Sequence, residues 1–204
     1  MSHKKTKISN PNHPKKGASI KVEPIKSLED IANIKDSLAD HPRNLCLFIM
    51  GINTAYRANE LVSIKVGQVD YLKTGDRLDL KQSKNQKYRS TTLNENVVKS
   101  IQNWLQHHPN PVPDAPLFWS RKTSKALTSI SLTNMVKRWC TDIGMRGNFG
   151  SHTLRKTWGY HQRHTFGHHA ALLTIAYGHA SEAQTLEYLC IQPDEIDELY
   201  IGAL

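Results

Sequence analysis

Nowhere in its 204 residues does this chain hold an apolar run long enough to cross a membrane, and its basic amino terminus is not followed by the apolar stretch of a secretory leader. A cytoplasmic protein is therefore expected. Cysteine is scarce: Cys46, Cys140 and Cys190 lie far apart, form no CxxC pair and cannot all pair with one another. That argues against a disulfide-held scaffold and for small core residues in a reducing compartment. No internal repeat is present, and the length suits one substantial domain with its own core.

Cations, by contrast, are abundant. Twenty-seven lysines and arginines stand against eighteen acids, a formal net charge of +9. Residues 1 to 26 hold seven lysines and one glutamate, whereas residues 193 to 204 hold Asp194, Glu195, Asp197 and Glu198 with no base. The stretch between them is basic as well. Such a balance suits a polyanion, because each phosphate neutralised releases condensed counterions and makes binding salt dependent. A charged surface that merely keeps the protein soluble would look the same, so charge alone does not decide.

Residues 1 to 26 are rich in Lys, Ser, Asn and Pro with almost no apolar periodicity, the composition of a basic tail that does not order itself. From Ser27 the pattern turns helical, with Asp30 three residues on and Leu28, Ile31, Ile34 and Leu38 as an apolar stripe. A second helix is expected from about Arg43 to Asn53 and a third from about Arg57. Two short strands follow, Arg77 to Leu80 and Tyr88 to Leu93, around a polar turn containing Asn85. Further helices are expected over Asn94 to His107, over Ser131 to Ile143, and from about Ser151, His169 and Ser181. The fold class is mainly α with a small antiparallel β-sheet (α+β). The expected organisation is a tail over 1–26, a single domain over 27–192, and an acidic segment over 193–204.

Several polar residues point to phosphoryl chemistry. Tyr188 alone would ordinarily be a packing residue, and an unperturbed phenol with a pKa of about 10 attacks poorly without a base or nearby cations. His152 and Arg155 are three apart on one helical face and reach the same small object. Arg57, three residues before Glu60, has a bland reading as a surface ion pair. Its functional reading is a planar, permanently charged donor that shares with Arg155 the oxygens of a phosphate, with Glu60 holding it in place. His152 can accept a proton near neutral pH. His179, after Gly178 between two helices, falls at a junction of the kind that carries sites. Lys84 in the hairpin turn, with Lys81 and Lys87 nearby, can protonate a leaving oxygen.

In this order the residues resemble the tyrosine recombinase, or phage integrase, family over roughly residues 27 to 192. Thr54-Ala55-Tyr56-Arg57-Ala58-Asn59-Glu60-Leu61 is similar to its first-arginine block. Ser83 to Arg89 is similar to its β-hairpin segment, in which a lysine precedes an arginine by five positions; that register selects Lys84. His152-Thr153-Leu154-Arg155, Tyr177-Gly178-His179-Ala180-Ser181 and Thr185-Leu186-Glu187-Tyr188 resemble the remaining three blocks. Any one block is weak; five in order are specific.

The resemblance implies a catalytic set of Arg57, Lys84, His152, Arg155, His179 and Tyr188, supported by Glu60, that cleaves and rejoins DNA through a 3′-phosphotyrosine without metal, ATP or cofactor. It implies double-stranded DNA as partner, a homo-tetramer on DNA from a protein monomeric when free, accessory DNA-bending proteins, and a bacterial nucleoid-associated, phage or mobile-element setting. Two departures, Ala55 for a common glycine and Tyr177 for leucine, read as modest changes in packing. Many relatives carry an amino-terminal helical clamp domain where only the basic tail precedes the matching blocks here; the tail would either remain solvated or reach along the DNA backbone or into a groove in the clamp's stead, and the acidic segment over 193–204 would dock on a neighbouring protomer or pack on its own domain.

Two other readings compete. A basic helical domain that occupies DNA without cutting it, in an architectural or regulatory role, fits the charge but leaves the filled polar positions without purpose. A metal site from His161, His164, His168 and His169 is suggested by three of them sharing a helical face, yet no cysteine or carboxylate completes the set.

Overall fold

The computed structural model describes residues 22–81, 88–123 and 125–189, together with Ile201. Eight α-helices and two strands are present among them: α1 Leu28–Ser37, α2 Pro42–Asn53, α3 Ala58–Val62, β1 Arg77–Lys81, β2 Tyr88–Thr92, α4 Glu95–Gln106, α5 Ser129–Asp142, α6 Ser151–His164, α7 Ala170–Tyr177 and α8 Glu182–Leu189. The expected mainly helical class with one antiparallel pair is what the chain adopts.

Local chemistry explains the starts. The Ser27 hydroxyl accepts from the Asp30 N–H at 3.2 Å, the Asn94 side chain accepts from Val97 N–H at 3.0 Å, and the Thr128 hydroxyl accepts from Ser131 N–H at 3.1 Å. Each satisfies a first-turn amide that the helix cannot, an effect of about 1 kcal/mol. Pro42 opens α2, where its missing N–H removes nothing from the helix.

Helix α2 is the axis of the core. Cys46, Leu47, Phe48 and Met50 are fully buried between α4, which brings Val97, Val98, Ile101 and Trp104, and α6, which brings Leu154. From α5, Trp139 meets Phe48 edge-on with centroids 6.0 Å apart. Each such large side chain contributes about 1.5–3 kcal/mol on leaving water. Burial raises the thiols of Cys46 and Cys140 to about 12, so both behave as small apolar side chains rather than nucleophiles.

Three sequence expectations are corrected here. Leu28 is 61% exposed, so the inward stripe of α1 is Ile31, Ile34 and the following Leu38. Packing also begins before Ser27: Pro24 and Ile25 are buried, Ile25 N–H donates to the Thr157 hydroxyl at 2.8 Å, and its carbonyl lies 3.0 Å from Nε2 of His161. Residues 22–26, placed by composition in the tail, therefore rest on α6. His161 is consequently not part of an open imidazole face; its other ring nitrogen meets the Thr165 hydroxyl at 2.8 Å. Residues 1–21, the acidic 193–204 stretch apart from Ile201, and the hairpin turn with Lys84 and Asn85 lie outside the described residues.

The hairpin pairs Leu78 with Thr91 and Leu80 with Arg89. Leu78 and Leu80 point inward, and so does Arg89, which is 6% exposed. A buried arginine in the apolar phase of a strand demands partners, and the polar centre of the molecule supplies them.

Candidate active site

Arg57 caps α3. Its neighbour Tyr56 is buried and donates to the Leu78 carbonyl of β1 at 2.6 Å, which ties the cap to the hairpin. Glu60, 4% exposed, accepts from the Arg57 backbone N–H at 2.7 Å and from its guanidinium at 3.0 Å, and lies 3.8 Å from Nε of Arg89. One buried carboxylate thus faces two arginines. Glu60→Gln keeps the shape and removes the compensating charge. A loss of about 3 kcal/mol in a urea melt is expected; a loss below about 0.5 kcal/mol would show that the carboxylate charge is not what holds the pair.

Arg155 and Arg89 converge on two carbonyls. Arg155 donates through one nitrogen to the Ala55 carbonyl and through the other to Tyr177 O at 2.8 Å. Arg89 donates to Tyr177 O at 2.9 Å, to Ala176 O at 2.9 Å and to Ala55 O at 3.4 Å. Ala55 sits at φ 57, a left-handed conformation that L-residues adopt at a cost of about 1–2 kcal/mol, and this turn aims its carbonyl at the guanidinia. Ala55 is therefore a strained turn residue rather than a modest packing change. Helix α7 ends at Gly178, also left-handed at φ 62, which a glycine adopts freely; the reversal delivers His179 beside Tyr177.

Around these cations stand the aromatic groups. The Tyr188 hydroxyl, on α8, is 3.4 Å from Nδ1 of His152 on the first turn of α6. Its ring meets His179 and Tyr177 edge-on, both at 5.3 Å, with Arg155 Cζ 6.0 Å and Lys156 Nζ 5.0 Å from its centroid. His179 stacks on Tyr177 at 4.9 Å, and its Nδ1 meets the fully buried Thr185 hydroxyl at 2.9 Å. Thr174 donates to Thr185 at 2.8 Å.

Five of the six expected residues, Arg57, His152, Arg155, His179 and Tyr188, are thus gathered from α3, α6, α7 and α8, with Glu60 beneath them; Lys84 lies outside the described residues. Arg89, Lys156, Tyr177 and Thr185 belong to the same assembly, although spacing in the sequence gives none of them a role in the site. For Arg89 a signal existed: residues opposite one another in a hairpin share a face, and its partner Leu80 points inward. A separate cavity of about 710 Å³, lined by Arg43, Arg121, Lys122 and Arg138 among others, shares no residue with this site.

Charge sets the protonation states. Burial, then the charges of Arg155, Arg57 and Arg89, lower the His179 imidazole to about 4. Partial burial, then Arg155, Lys156 and Arg57, lower His152 as well. Burial brings Arg155 down to about 10, against the opposing pull of the Tyr188 phenol, and it stays charged at pH 7. The site therefore presents two neutral imidazoles among arginines. Because the folded pKa of His179 lies below its unfolded value of about 6.5, the unfolded chain binds more protons between pH 6.5 and 4, and stability present at pH 7 is lost as pH falls through that window. Thermal melts of wild type should lose more stability from pH 7 to pH 4.5 than melts of His179→Gln. Parallel pH slopes would contradict the assignment.

Among the described residues no three histidines, cysteines or carboxylates converge as a metal-holding group, and no helix is long and apolar enough to cross a membrane.

Fold and residue set together define a class of protein: a mainly helical domain that gathers a tyrosine, two histidines and several arginines into one anion-seeking site. Comparison then places the chain within that class. The profile of the phage integrase family matches residues 21–194. The probable integrase/recombinase YoeC of Bacillus subtilis is 31% identical over 180 residues, 88% of this chain and 95% of that protein. The tyrosine recombinase XerH of Helicobacter pylori is 30% identical over 179 residues, 85% of this chain but only 48% of its own length. In three dimensions, the XerH site-specific recombinase bound to palindromic difH substrate in a post-cleavage complex superposes with a TM-score of 0.73 at 24% identity, over 90% of this chain and 53% of that one. The chain belongs to the phage integrase family, and its function is that of a site-specific recombinase. It spans nearly the whole of the Bacillus relative and about half of the Helicobacter one.

Proposed function

We propose that the chain cleaves and rejoins double-stranded DNA with Tyr188 as nucleophile. The observation that carries this is the Tyr188 hydroxyl 3.4 Å from Nδ1 of His152, an imidazole kept neutral and able to take a proton, beside a guanidinium. In the step, the Tyr188 oxygen bonds to phosphorus as its proton passes to His152, and the bond from phosphorus to the 5′ oxygen breaks. The strand is left with a 3′-phosphotyrosine and a free 5′-hydroxyl, whose proton Lys84 supplies. Reversal by another 5′-hydroxyl rejoins the strand, so the bond energy is conserved and no ATP is consumed. Arg57 and Arg155 bind the non-bridging oxygens and stabilise the charge that grows on them in the transition state; His179 adds a further donor.

The surplus of Arg57, Arg89, Arg155 and Lys156 over Glu60 makes this an anion site. The arginine set supplies the charge that a divalent cation supplies elsewhere, so the reaction proceeds without metal. A domain that takes in residues 22–26 and runs to 192, with the basic tail before it on DNA and the acidic 193–204 segment docking on a neighbouring protomer of a DNA-bound tetramer, completes the reading. Accessory DNA-bending proteins would assist, and the setting is the bacterial cytoplasm or a phage or mobile element.

A duplex nicked just past the cleavage point tests it. Wild type in excess chelator should form a denaturant-resistant protein–DNA adduct whose attached peptide contains Tyr188 and whose DNA end is a 3′-phosphate. An adduct through another residue, or one that needs added metal, would overturn it.

A further inference from the structure

Tyr177 stands where the sequence pattern alone suggests a replaceable apolar residue, yet it touches Arg155, His179 and Tyr188 of the catalytic set. Its side chain is fully buried. The Arg155 Cζ lies 4.5 Å from the centre of its ring, near enough for a cation–π contact in a dry setting. The His179 ring stacks on it with an interplanar angle of 19°, and Tyr188 meets it edge-on. Its hydroxyl donates to the Arg155 carbonyl at 2.9 Å, which ties the ring to the backbone of α6. Space for that hydroxyl exists because residue 159 is glycine: a Cβ there would overlap the hydroxyl and come within 2.7 Å of the ring Cζ.

We infer that Tyr177 is a positioning residue for strand transfer, its ring setting Arg155, His179 and Tyr188 relative to one another and its hydroxyl locked into a notch that Gly159 leaves in α6. The inference rests on the reading of Tyr188 as nucleophile. The backbone carbonyl that receives both arginines would survive any substitution, so what a smaller side chain removes is the platform itself. Leucine fills the volume incompletely and offers no flat face for a guanidinium or an imidazole.

Two measurements test this. In single-turnover adduct formation on the nicked duplex, Tyr177→Phe, which keeps the ring, should stay within about tenfold of wild type, while Tyr177→Leu should fall about 100-fold with DNA affinity retained, the loss that a misplacement near 1 Å produces. In the DNA-free protein, NMR titration of His179 should give a higher pKa in Tyr177→Leu than in wild type or Tyr177→Phe, because the ring that screens it from water is gone. Arg155, Arg57, Arg89 and Tyr188 also face that imidazole, and an Arg155 no longer held over the ring would lower the His179 pKa less, a change in the same direction.

A folded Tyr177→Leu that reacts at the wild-type rate with an unchanged His179 titration would overturn the inference. Should Tyr177→Leu not fold, Gly159→Ala carries the test from the other side. The intruding methyl should slow adduct formation, and Tyr177→Phe in the same chain should recover part of that rate; an unslowed Gly159→Ala would overturn the notch. Failure of the underlying reading looks different: Tyr188→Phe would still form adduct, whereas the titration reports on Tyr177 regardless.

Discussion

Tyr188→Phe is expected to bind DNA as wild type does and to form no measurable adduct, a loss of at least about 10,000-fold, since removing a nucleophile leaves no alternative atom to attack. The substitution removes one oxygen and little else. Its ring would still meet Tyr177 and His179 edge-on and lie beneath Lys156, so the fold and the cation cluster should be preserved. That makes the experiment clean, because lost reactivity with retained binding and retained melting temperature can only be assigned to the hydroxyl. Gel analysis of a denatured reaction on the nicked duplex measures it. Adduct at even a tenth of the wild-type level would mean that another residue attacks.

Arg155→Lys should lower the adduct rate by about 100- to 1,000-fold and stability by about 2–3 kcal/mol, measured by single-turnover kinetics and urea melts. The charge is retained in that variant, so the expected loss is one of geometry. Arginine spans from the Ala55 carbonyl to the Tyr177 carbonyl with one planar group while lying over the Tyr177 ring; an ammonium is a single point and cannot bridge both. Arg89 donates to the same two carbonyls and would keep them from being fully orphaned, which limits the stability loss below that of an isolated buried charge. A variant that keeps its rate within tenfold while losing the stability would make Arg155 a structural cation only.

The five blocks carried much of the site because local spacing is enough for some of its geometry. His152 and Arg155 share a face by helical period, and Arg57 and Glu60 meet across one turn in a capping arrangement whose partners are three residues apart. Caps at Ser27 and Asn94, the proline at the head of α2 and the alternation of β1 likewise act within a few residues. The places where the pattern misled are those where the deciding partner is remote. Leu28 repeats with the α1 stripe, but no element among the described residues covers it; Ile25 has tail-like neighbours in sequence, yet its amide finds Thr157 and its carbonyl His161.

Composition and spacing by themselves determined the helical class, the anion-seeking charge and the order of the arginine, histidine and tyrosine blocks, because periodicity and capping are short-range effects written in neighbouring residues. Only the tertiary structure decided that Arg89 turns inward beside Arg155, that a left-handed Ala55 presents its carbonyl to both, and that the Tyr177 ring lies beneath Arg155 in a notch left by Gly159. The reason is physical. A buried charge must be met by acceptors wherever the chain can bring them, and the separation in sequence of Ala55, Arg89, Arg155 and Tyr177 encodes nothing of the distances at which packing leaves them.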